Sequence, residues 1–230
     1  MQDEPAPNDL AIVIGARGGI GAALLETLRT DPRWPHVIGF ARPELNLLDE
    51  GSIAAAAASL AGRNPRLIID ATGHLHDPDG TPERSWRQID PAHMARSFAI
   101  NAIGPALLMK HFLPLLPRQG RSVFATLSAR VGSIGDNRLG GWYSYRAAKA
   151  ALNQLARTAA IELARSHRHA ICVALHPGTV ATPLSAPFAK AGLTIQTPAD
   201  AAAQLLRVIA DLTPDHSGHL LDYRGEVLPW

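Results

Sequence analysis

Near its start the chain reads Leu10-Ala11-Ile12-Val13-Ile14-Gly15-Ala16-Arg17-Gly18-Gly19-Ile20-Gly21. The apolar run at 10–14 predicts a buried strand, and apolar residues at helical spacing over 19–29 predict a helix directly after it. Glycine at positions 15, 19 and 21 allows the positive φ and the close backbone approach that a turn over a pyrophosphate needs. The helix start adds unpaired N–H groups and the positive end of its dipole. These features predict a strand–turn–helix unit that binds a dinucleotide.

The rest of the chain alternates short apolar runs with helical stretches. Strands are predicted at 37–40, 44–47, 66–71, 122–127, 170–175 and 218–221, and helices at 52–60, 91–116, 143–165 and 199–212. The 91–116 helix is expected to bend near Gly104 and Pro105. Continuously apolar strands alternating with helices indicate right-handed βαβ units. The sequence therefore predicts an α/β fold: a single-domain Rossmann fold over 10–230, with a doubly wound parallel sheet of about seven strands, behind a flexible tail at 1–9.

Composition narrows the class of protein. The chain has 230 residues, 47% of them apolar and 18% charged, with a net charge of +2, which is typical of a globular enzyme. Lysines and arginines do not cluster with aromatic residues, so no nucleic-acid partner is expected. The one cysteine, Cys172, indicates a reducing compartment. With neither a signal-peptide pattern nor an uninterrupted apolar run of about 18 residues, we expect a cytoplasmic protein without a membrane partner.

The residues after the second predicted strand bear on which dinucleotide is bound. Sites for NAD commonly place an acidic residue there to hold the ribose 2′-hydroxyl. This chain has Arg42 instead, and the first carboxylate after the strand is Glu44. Arg42, together with Arg17 of the glycine turn, can pair with a 2′-phosphate. The sequence therefore predicts NADP(H) as cofactor in preference to NAD(H).

A tyrosine and a lysine provide the first candidate for chemistry. Tyr145 and Lys149 are four residues apart, which places them on the same face of a predicted helix. An ammonium near a phenol stabilises the phenolate and lowers the pKa of the tyrosine, which suits general acid–base catalysis near neutral pH. His74, His76 and Asp77 are also close together, but their spacing matches no zinc pattern, so no metal site is expected.

Taken in order, these motifs resemble the short-chain dehydrogenase/reductase family over essentially the whole chain from residue 10 to 230. The matching set is Gly15/Gly19/Gly21, Asn101, a serine near 128, Tyr145/Lys149 and Pro177-Gly178-Thr179-Val180-Ala181-Thr182. Within the family, residues 130–134 (Arg-Val-Gly-Ser-Ile), 140–146 (Gly-Gly-Trp-Tyr-Ser-Tyr-Arg) and the ending Leu228-Pro229-Trp230 resemble the C-factor-like (C-signal) subgroup.

The resemblance implies hydride transfer between the nicotinamide and a small-molecule carbonyl or secondary alcohol. Tyr145 would be the proton donor or base, Lys149 would hold the nicotinamide ribose, Asn101 would support a water relay, and a serine would bind the substrate oxygen. It also implies a substrate lid at about 183–197 and a homodimer or homotetramer packed through the two long helices. The implied cofactor-binding residues are Gly15, Arg17, Gly19, Ile20, Gly21, Arg42, Asn46, Leu47, Ala71, Thr72, Gly73, Tyr145, Lys149, Pro177, Gly178, Val180 and Thr182.

Two departures from the family pattern leave alternatives open. The family serine usually stands three residues before a glycine, which here is Ala129, so Ser128 is the first candidate and Ser133 the second. The usual Asn-Asn-Ala-Gly is replaced by Asp70-Ala71-Thr72-Gly73. A second function therefore stays open, that of a nucleotide-binding regulatory or signalling protein with weak or vestigial activity.

Overall fold

The computed structural model describes residues 8–76, 81–185 and 195–230, and all structural statements below concern these residues. The strands are β1 (Asp9–Ile14), β2 (His36–Phe40), β3 (Asn64–Asp70), β4 (Ser122–Leu127), β5 (Ala170–His176), β6 (Thr179–Val180), β7 (Ile195–Gln196) and β8 (Leu220–Asp222). The longer helices are α1 (Gly19–Thr30), α2 (Glu50–Ala58), α3 (Pro91–Phe98), α4 (Gly104–Phe112), α5 (Tyr143–Leu163) and α6 (Pro198–Asp211).

Six strands form a parallel sheet in the order β2-β1-β3-β4-β5-β8, and β6 and β7 form a separate parallel pair. After β1 the chain adds β2 on one side and then crosses to add β3 on the other. The carboxyl ends of β1 and β3 therefore flank a topological switch point, where ligands of open α/β sheets bind.

Apolar side chains leave both faces of the sheet, because alternate strand residues point to opposite sides. On one face Ile12, Ile68 and Phe124 pack with residues of α2, α4 and α5. On the other face Val13 and Ile69 pack with residues of α1 and α6. The doubly wound arrangement expected from continuously apolar strands is confirmed.

The predicted bent helix is a chain of three segments, because a π-helical turn, Ala99–Ile103, connects α3 to α4. The stretch Pro91–Leu115 is long and apolar enough to cross a membrane by length and composition alone. One face of it, including Asn101, Leu108 and Phe112, is fully buried inside the protein. That burial is typical of a core helix, which passes the same test.

The third predicted strand, at 44–47, is wrong. These residues form turns, in which the Asn46 side-chain oxygen accepts from the Leu48 N–H at 3.2 Å and the Asn46 N–H donates to Ser52 Oγ at 2.9 Å. Such local side-chain bonds compete with strand pairing. Without this strand the described sheet has six strands rather than about seven.

Two predicted boundary segments fall largely outside the described residues. Asp9, assigned to the tail, is the first residue of β1, whereas the tail itself lies almost wholly at 1–7, which the structure does not describe. Most of the predicted lid at 183–197 lies in the undescribed range 186–194. The lid therefore stays a prediction.

Candidate active site

The glycine turn between β1 and α1 requires each of its three glycines. Gly15 has φ +85°, and a Cβ there would lie 3.0 Å from the Ala71 carbonyl carbon and oxygen. A Cβ on Gly21 would collide with the Gly15 carbonyl, and one on Gly19 would lie 2.7 Å from Thr182 Cγ2. No described side chain caps the start of α1, and its first turn has no acidic residue. The turn is therefore a bare N–H cradle of the kind that binds phosphate.

Arg17 and Arg42 lie together beside this cradle. The Arg17 guanidinium donates to the Arg42 carbonyl oxygen at 2.7 Å, across the turn that follows β2. Both side chains are exposed. Leu47 packs against the helix side of the site, because a Cβ on Gly104 would lie 2.7 Å from Leu47 Cβ. Asn46 uses its amide oxygen within its own turn.

Gly73, Asn101 and Lys149 converge at the carboxyl end of β3. A Cβ on Gly73 would lie 3.7 Å from Asn101 Oδ1 and 3.8 Å from Lys149 Nζ. Asn101 sits in the π-helical turn, where its amide donates to the His74 carbonyl at 2.7 Å and accepts from the His74 N–H at 2.9 Å. The backbone after β3 is thereby tied to Asn101, and the absence of a side chain at Gly73 leaves space between the amide and the ammonium.

Lys149 is buried, with 2% of its surface exposed, and it donates to the Leu127 carbonyl oxygen at 2.9 Å. Burial lowers the pKa of Lys149 to about 8, and the negative charge of Asp70 partly offsets that effect. Asp70 is itself fully buried and accepts from the Thr126 hydroxyl at 2.6 Å and from the Thr72 N–H at 3.0 Å. Burial raises the pKa of Asp70 against these hydrogen bonds.

Tyr145 lies on the first turn of α5, and Lys149 Nζ lies 5.8 Å from the centroid of its ring. Burial of the phenol raises the pKa of Tyr145 above its ordinary value of 10.0. The net shift is therefore opposite to the lowered pKa expected from Lys149 alone, since desolvation of the phenolate is the largest effect on this group.

The two candidate serines are both buried. Ser128 donates its hydroxyl proton to Asn153 Oδ1 on α5 at 2.6 Å. Ser133 Oγ accepts from the Asp136 N–H at 3.1 Å, and this bond leaves its own proton uncommitted. Neither of these hydrogen bonds is to Tyr145, so the serine assignment stays a prediction.

The Pro177–Thr182 segment packs against the glycine turn. Gly178 has φ +78°, Val180 is buried in β6, and Ala181 N–H donates to the Gln196 carbonyl at 2.8 Å. These contacts bring Thr182 against Gly19. The segment thus lies beside the first turn of α1, where Ile20 is partly buried against the core.

Two buried carboxylates lie near Tyr145 and Lys149 in the fold. Glu83 was not identified from the sequence, and Asp70 was identified without a role. Glu83 accepts from the backbone N–H and the hydroxyl of Ser144, which directly precedes Tyr145. It stands in a polar loop segment that carries no recognisable motif. Asp70 was identified only as a departure from the family pattern, and its proximity to Lys149 needed the fold.

Cys172 and the His74, His76 and Asp77 group were the other candidates in the sequence. Cys172 is fully buried in β5, and burial raises the pKa of its thiol to about 12. His74 and His76 follow β3, and Asp77 lies outside the described residues. Within the described ranges no group of three or more His, Cys, Asp or Glu side chains could hold a metal ion.

Comparison with known proteins gives consistent results. The sequence model of the family described as Enoyl-(Acyl carrier protein) reductase matches residues 43–212. The chain is 40% identical to the C-signal protein of Myxococcus xanthus over 142 residues, 62% of this chain and 81% of that one. It is 35% identical to 1-hydroxy-2-glutathionyl-2-methyl-3-butene dehydrogenase of Rhodococcus sp. over 188 residues, 82% of this chain and 79% of that one. The structure of NADPH-bound carbonyl reductase from chicken fatty liver superimposes with a TM-score of 0.84 at 27% identity, covering 99% and 96% of the two chains.

The parallel sheet, the bare glycine cradle at its switch point and the clustered Tyr145, Lys149 and Asn101 define an oxidoreductase of the Rossmann type. The chain belongs to the short-chain dehydrogenase/reductase family, and it has C-signal-like relatives. The expected family and fold are both confirmed.

Proposed function

We propose that this protein is an NADP(H)-dependent reductase that transfers a hydride between the nicotinamide and a carbonyl or secondary-alcohol carbon. The observation that carries the proposal is the convergence of Lys149, Asn101 and Gly73 beside Tyr145, at the edge of the sheet where the glycine cradle lies. A glycine turn alone could serve nucleotide binding without chemistry. A proton-donating phenol beside a buried ammonium adds the means to protonate a substrate oxygen.

The residues present fit a dinucleotide. Gly15, Gly19 and Gly21 allow a tight turn in which a Cβ would meet neighbouring protein atoms, and the first N–H groups of α1 have no described side-chain cap. Arg17 and Arg42 supply two exposed positive charges that suit a 2′-phosphate. Three comparison structures carry NADPH or NADP, which supports the same choice here. The bound cofactor would supply or accept the hydride.

The protein side of the reaction is proton handling. The Tyr145 phenol would donate its proton to the carbonyl oxygen during reduction and accept it back during oxidation. The Lys149 ammonium, 5.8 Å from the Tyr145 ring, would stabilise the phenolate that donation leaves. Asn101 would keep the backbone after β3 in place and support proton resupply. Ser128 is the first candidate to hold the substrate oxygen, and Ser133 is the second.

The test is oxidation of NADPH and of NADH with a panel of aldehydes, ketones and diketones, for wild type and Tyr145→Phe. We expect turnover with NADPH, a loss of about a hundredfold or more in the variant, and unchanged NADPH binding. Ser128→Ala and Ser133→Ala in the same assay assign the serine, since the relevant one lowers kcat. Turnover retained by Tyr145→Phe would contradict the proposal.

A second candidate function is regulation through nucleotide binding, favoured by the similarity to the C-signal protein and by the commitment of the Ser128 proton to Asn153. It predicts tight NADPH binding without turnover of any carbonyl. The homodimer or homotetramer and the cytoplasmic location stay predictions alongside either function.

A further inference from the structure

Glu83 contacts the start of α5, the helix that carries Tyr145 and Lys149. It is 4% exposed, although its carboxylate belongs to a loop between β3 and α3. Its two oxygens accept the Ser144 N–H at 3.3 Å each, and one also accepts the Ser144 hydroxyl. Ser144, fully buried, is the second residue of α5 and the neighbour of Tyr145.

This contact supplies what the start of α5 lacks. The first N–H groups of a helix have no partner within the helix, and Trp142, at the capping position, makes no side-chain cap. A carboxylate at this end satisfies the free N–H and interacts favourably with the helix dipole. Glu83 therefore caps α5 from another part of the chain.

The turn that leads into α5 is held on both sides. Gly140, Gly141 and Trp142 have φ values of +64°, +67° and +54°, and Trp142 is the one described non-glycine residue with positive φ. Trp142 N–H donates to the Glu83 carbonyl oxygen. From the other side the Arg146 guanidinium donates to the carbonyl oxygens of Gly141 at 3.0 Å and Gly140 at 3.2 Å.

The conformation of this turn is transmitted to the phenol. The Trp142 ring packs edge-to-face on the Tyr145 ring, with centroids 6.2 Å apart. A left-handed tryptophan is costly and persists where its surroundings enforce it. The Glu83 carbonyl and carboxylate enforce it here, on either side of residue 143.

We propose that Glu83 is a positioning residue, which fixes Ser144 and the Gly140–Trp142 turn and thereby sets the place of the Tyr145 phenol. The inference rests on the proposed function, because it assigns Glu83 to the proton-transfer step. The glycine turn, which would hold the phosphates of the cofactor, belongs to β1 and α1 and should keep its shape in variants of Glu83.

The experiment compares Glu83→Ala, Glu83→Gln, Ser144→Ala and the Glu83→Ala/Ser144→Ala double variant. We expect kcat to fall by roughly ten- to a hundredfold in Glu83→Ala, since small displacements of a catalytic group carry losses of this size. The Kd for NADPH should stay within about twofold. Glu83→Gln, which keeps one acceptor oxygen, should retain intermediate activity. The double variant should be no worse than Glu83→Ala, because both changes break the same contact.

Asp9→Asn is the matched control. Asp9 is also a buried carboxylate, bound to Asn64 at 2.7 Å and Arg66 at 2.9 Å, but it lies at the opposite end of the sheet. It should lose stability without losing kcat. The inference would be overturned if variants of Glu83, like Asp9→Asn, lost stability but kept the wild-type kcat. If Glu83→Ala fails to fold, an unchanged kcat in both Ser144→Ala and Glu83→Gln would overturn it.

Hydrogen exchange provides a readout that needs no turnover. Amides at 142–146 should exchange faster in Glu83→Ala than in wild type, with β1 and α1 unchanged. If wild type and Tyr145→Phe are both inactive, the proposed function fails, and exchange then decides the positioning role. Faster local exchange supports that role, and unchanged exchange overturns it.

Discussion

At the scale of single residues, Lys149 is subject to two opposing effects. Burial lowers its pKa to about 8, whereas the buried carboxylate of Asp70 favours the charged form. If the ammonium is the catalytic form, activity is present below pH 8 and declines as the pH rises through that value. The lysine thus places the upper limit of activity within an accessible pH range.

Replacing Asp70 with Asn should shift this limit. The change removes the negative charge and keeps the shape, so the pKa of Lys149 should fall further and the decline in kcat/KM should begin at lower pH. The measurement is the pH profile of NADPH-dependent reduction from pH 6 to 10, with Asp9→Asn as control. A profile that is unchanged, or that moves to higher pH, would show that Asp70 does not act on Lys149 electrostatically.

The Arg17–Arg42 pair gives a second prediction at this scale. Replacing both arginines with Ala should raise KM for NADPH by roughly tenfold or more, because two charge-assisted contacts to the 2′-phosphate are lost. KM for NADH, which lacks this phosphate, should stay within about twofold, since the same contacts are absent from its binding. Steady-state kinetics with both cofactors decide the matter. Equal losses for NADPH and NADH would mean that the arginines support the turn itself.

Functional residues that belong to a short local motif could be identified from the sequence. The glycine turn and the Tyr145/Lys149 pair were of this kind, and the structure brings them to one edge of the sheet. Glu83 and Asp70 could not be found in this way, because each bonds to a residue far away in the sequence. Ser144 is 61 residues from Glu83, and Thr126 is 56 residues from Asp70. The raised pKa of Tyr145 likewise depends on burial, which spacing does not show.

At the scale of elements, Gly104 shows how the helical side of the site is packed. It follows the π-helical turn that carries Asn101, and Leu47 lies against it. Gly104→Ala should lower stability by about 1–3 kcal/mol through overpacking. Denaturant unfolding of Gly104→Ala, Leu47→Gly and the double variant measures the coupling, because glycine at 47 removes the Cβ that a Gly104 Cβ would meet. Losses that simply add would contradict the contact, whereas partial rescue in the double variant is the expected result.

Elements with strong periodicity were predicted within a few residues of their observed bounds. β4 (Ser122–Leu127) agrees at both ends, and α5 begins at the predicted Tyr143. The wrong strand prediction at 44–47 has a local cause. The side chains of Asn46 and Ser52 bond to nearby backbone groups, and the apolar content of four residues does not reveal these turn-forming bonds. The π-helical turn was expected only as a bend, because no residue pattern specifies a π-helix.

At the scale of the whole molecule, the parallel sheet gathers distant motifs at one edge. Every strand of the six-stranded sheet runs in the same direction, so the residues after β1, β3, β4 and β5 meet at their carboxyl ends. α4 and α5 pack against the sheet with one face, and part of their remaining surface is available for contacts with another molecule. A groove of about 510 Å³ lies between these helices, lined by residues that include Met109, Leu113 and Ala159.

The predicted homodimer or homotetramer would use this surface, and Ala159 offers a direct test. Ala159 is partly exposed in the groove, so a glutamate there should place an unpaired charge in the interface and shift the protein to monomers. Ala203→Glu is the matched control, since Ala203 is an exposed alanine on α6, away from the groove. Light scattering or sedimentation should show an oligomer for wild type and Ala203→Glu, and a monomer for Ala159→Glu. A monomeric wild type would contradict the predicted oligomer, and an oligomer that survives Ala159→Glu would mean that assembly uses another surface.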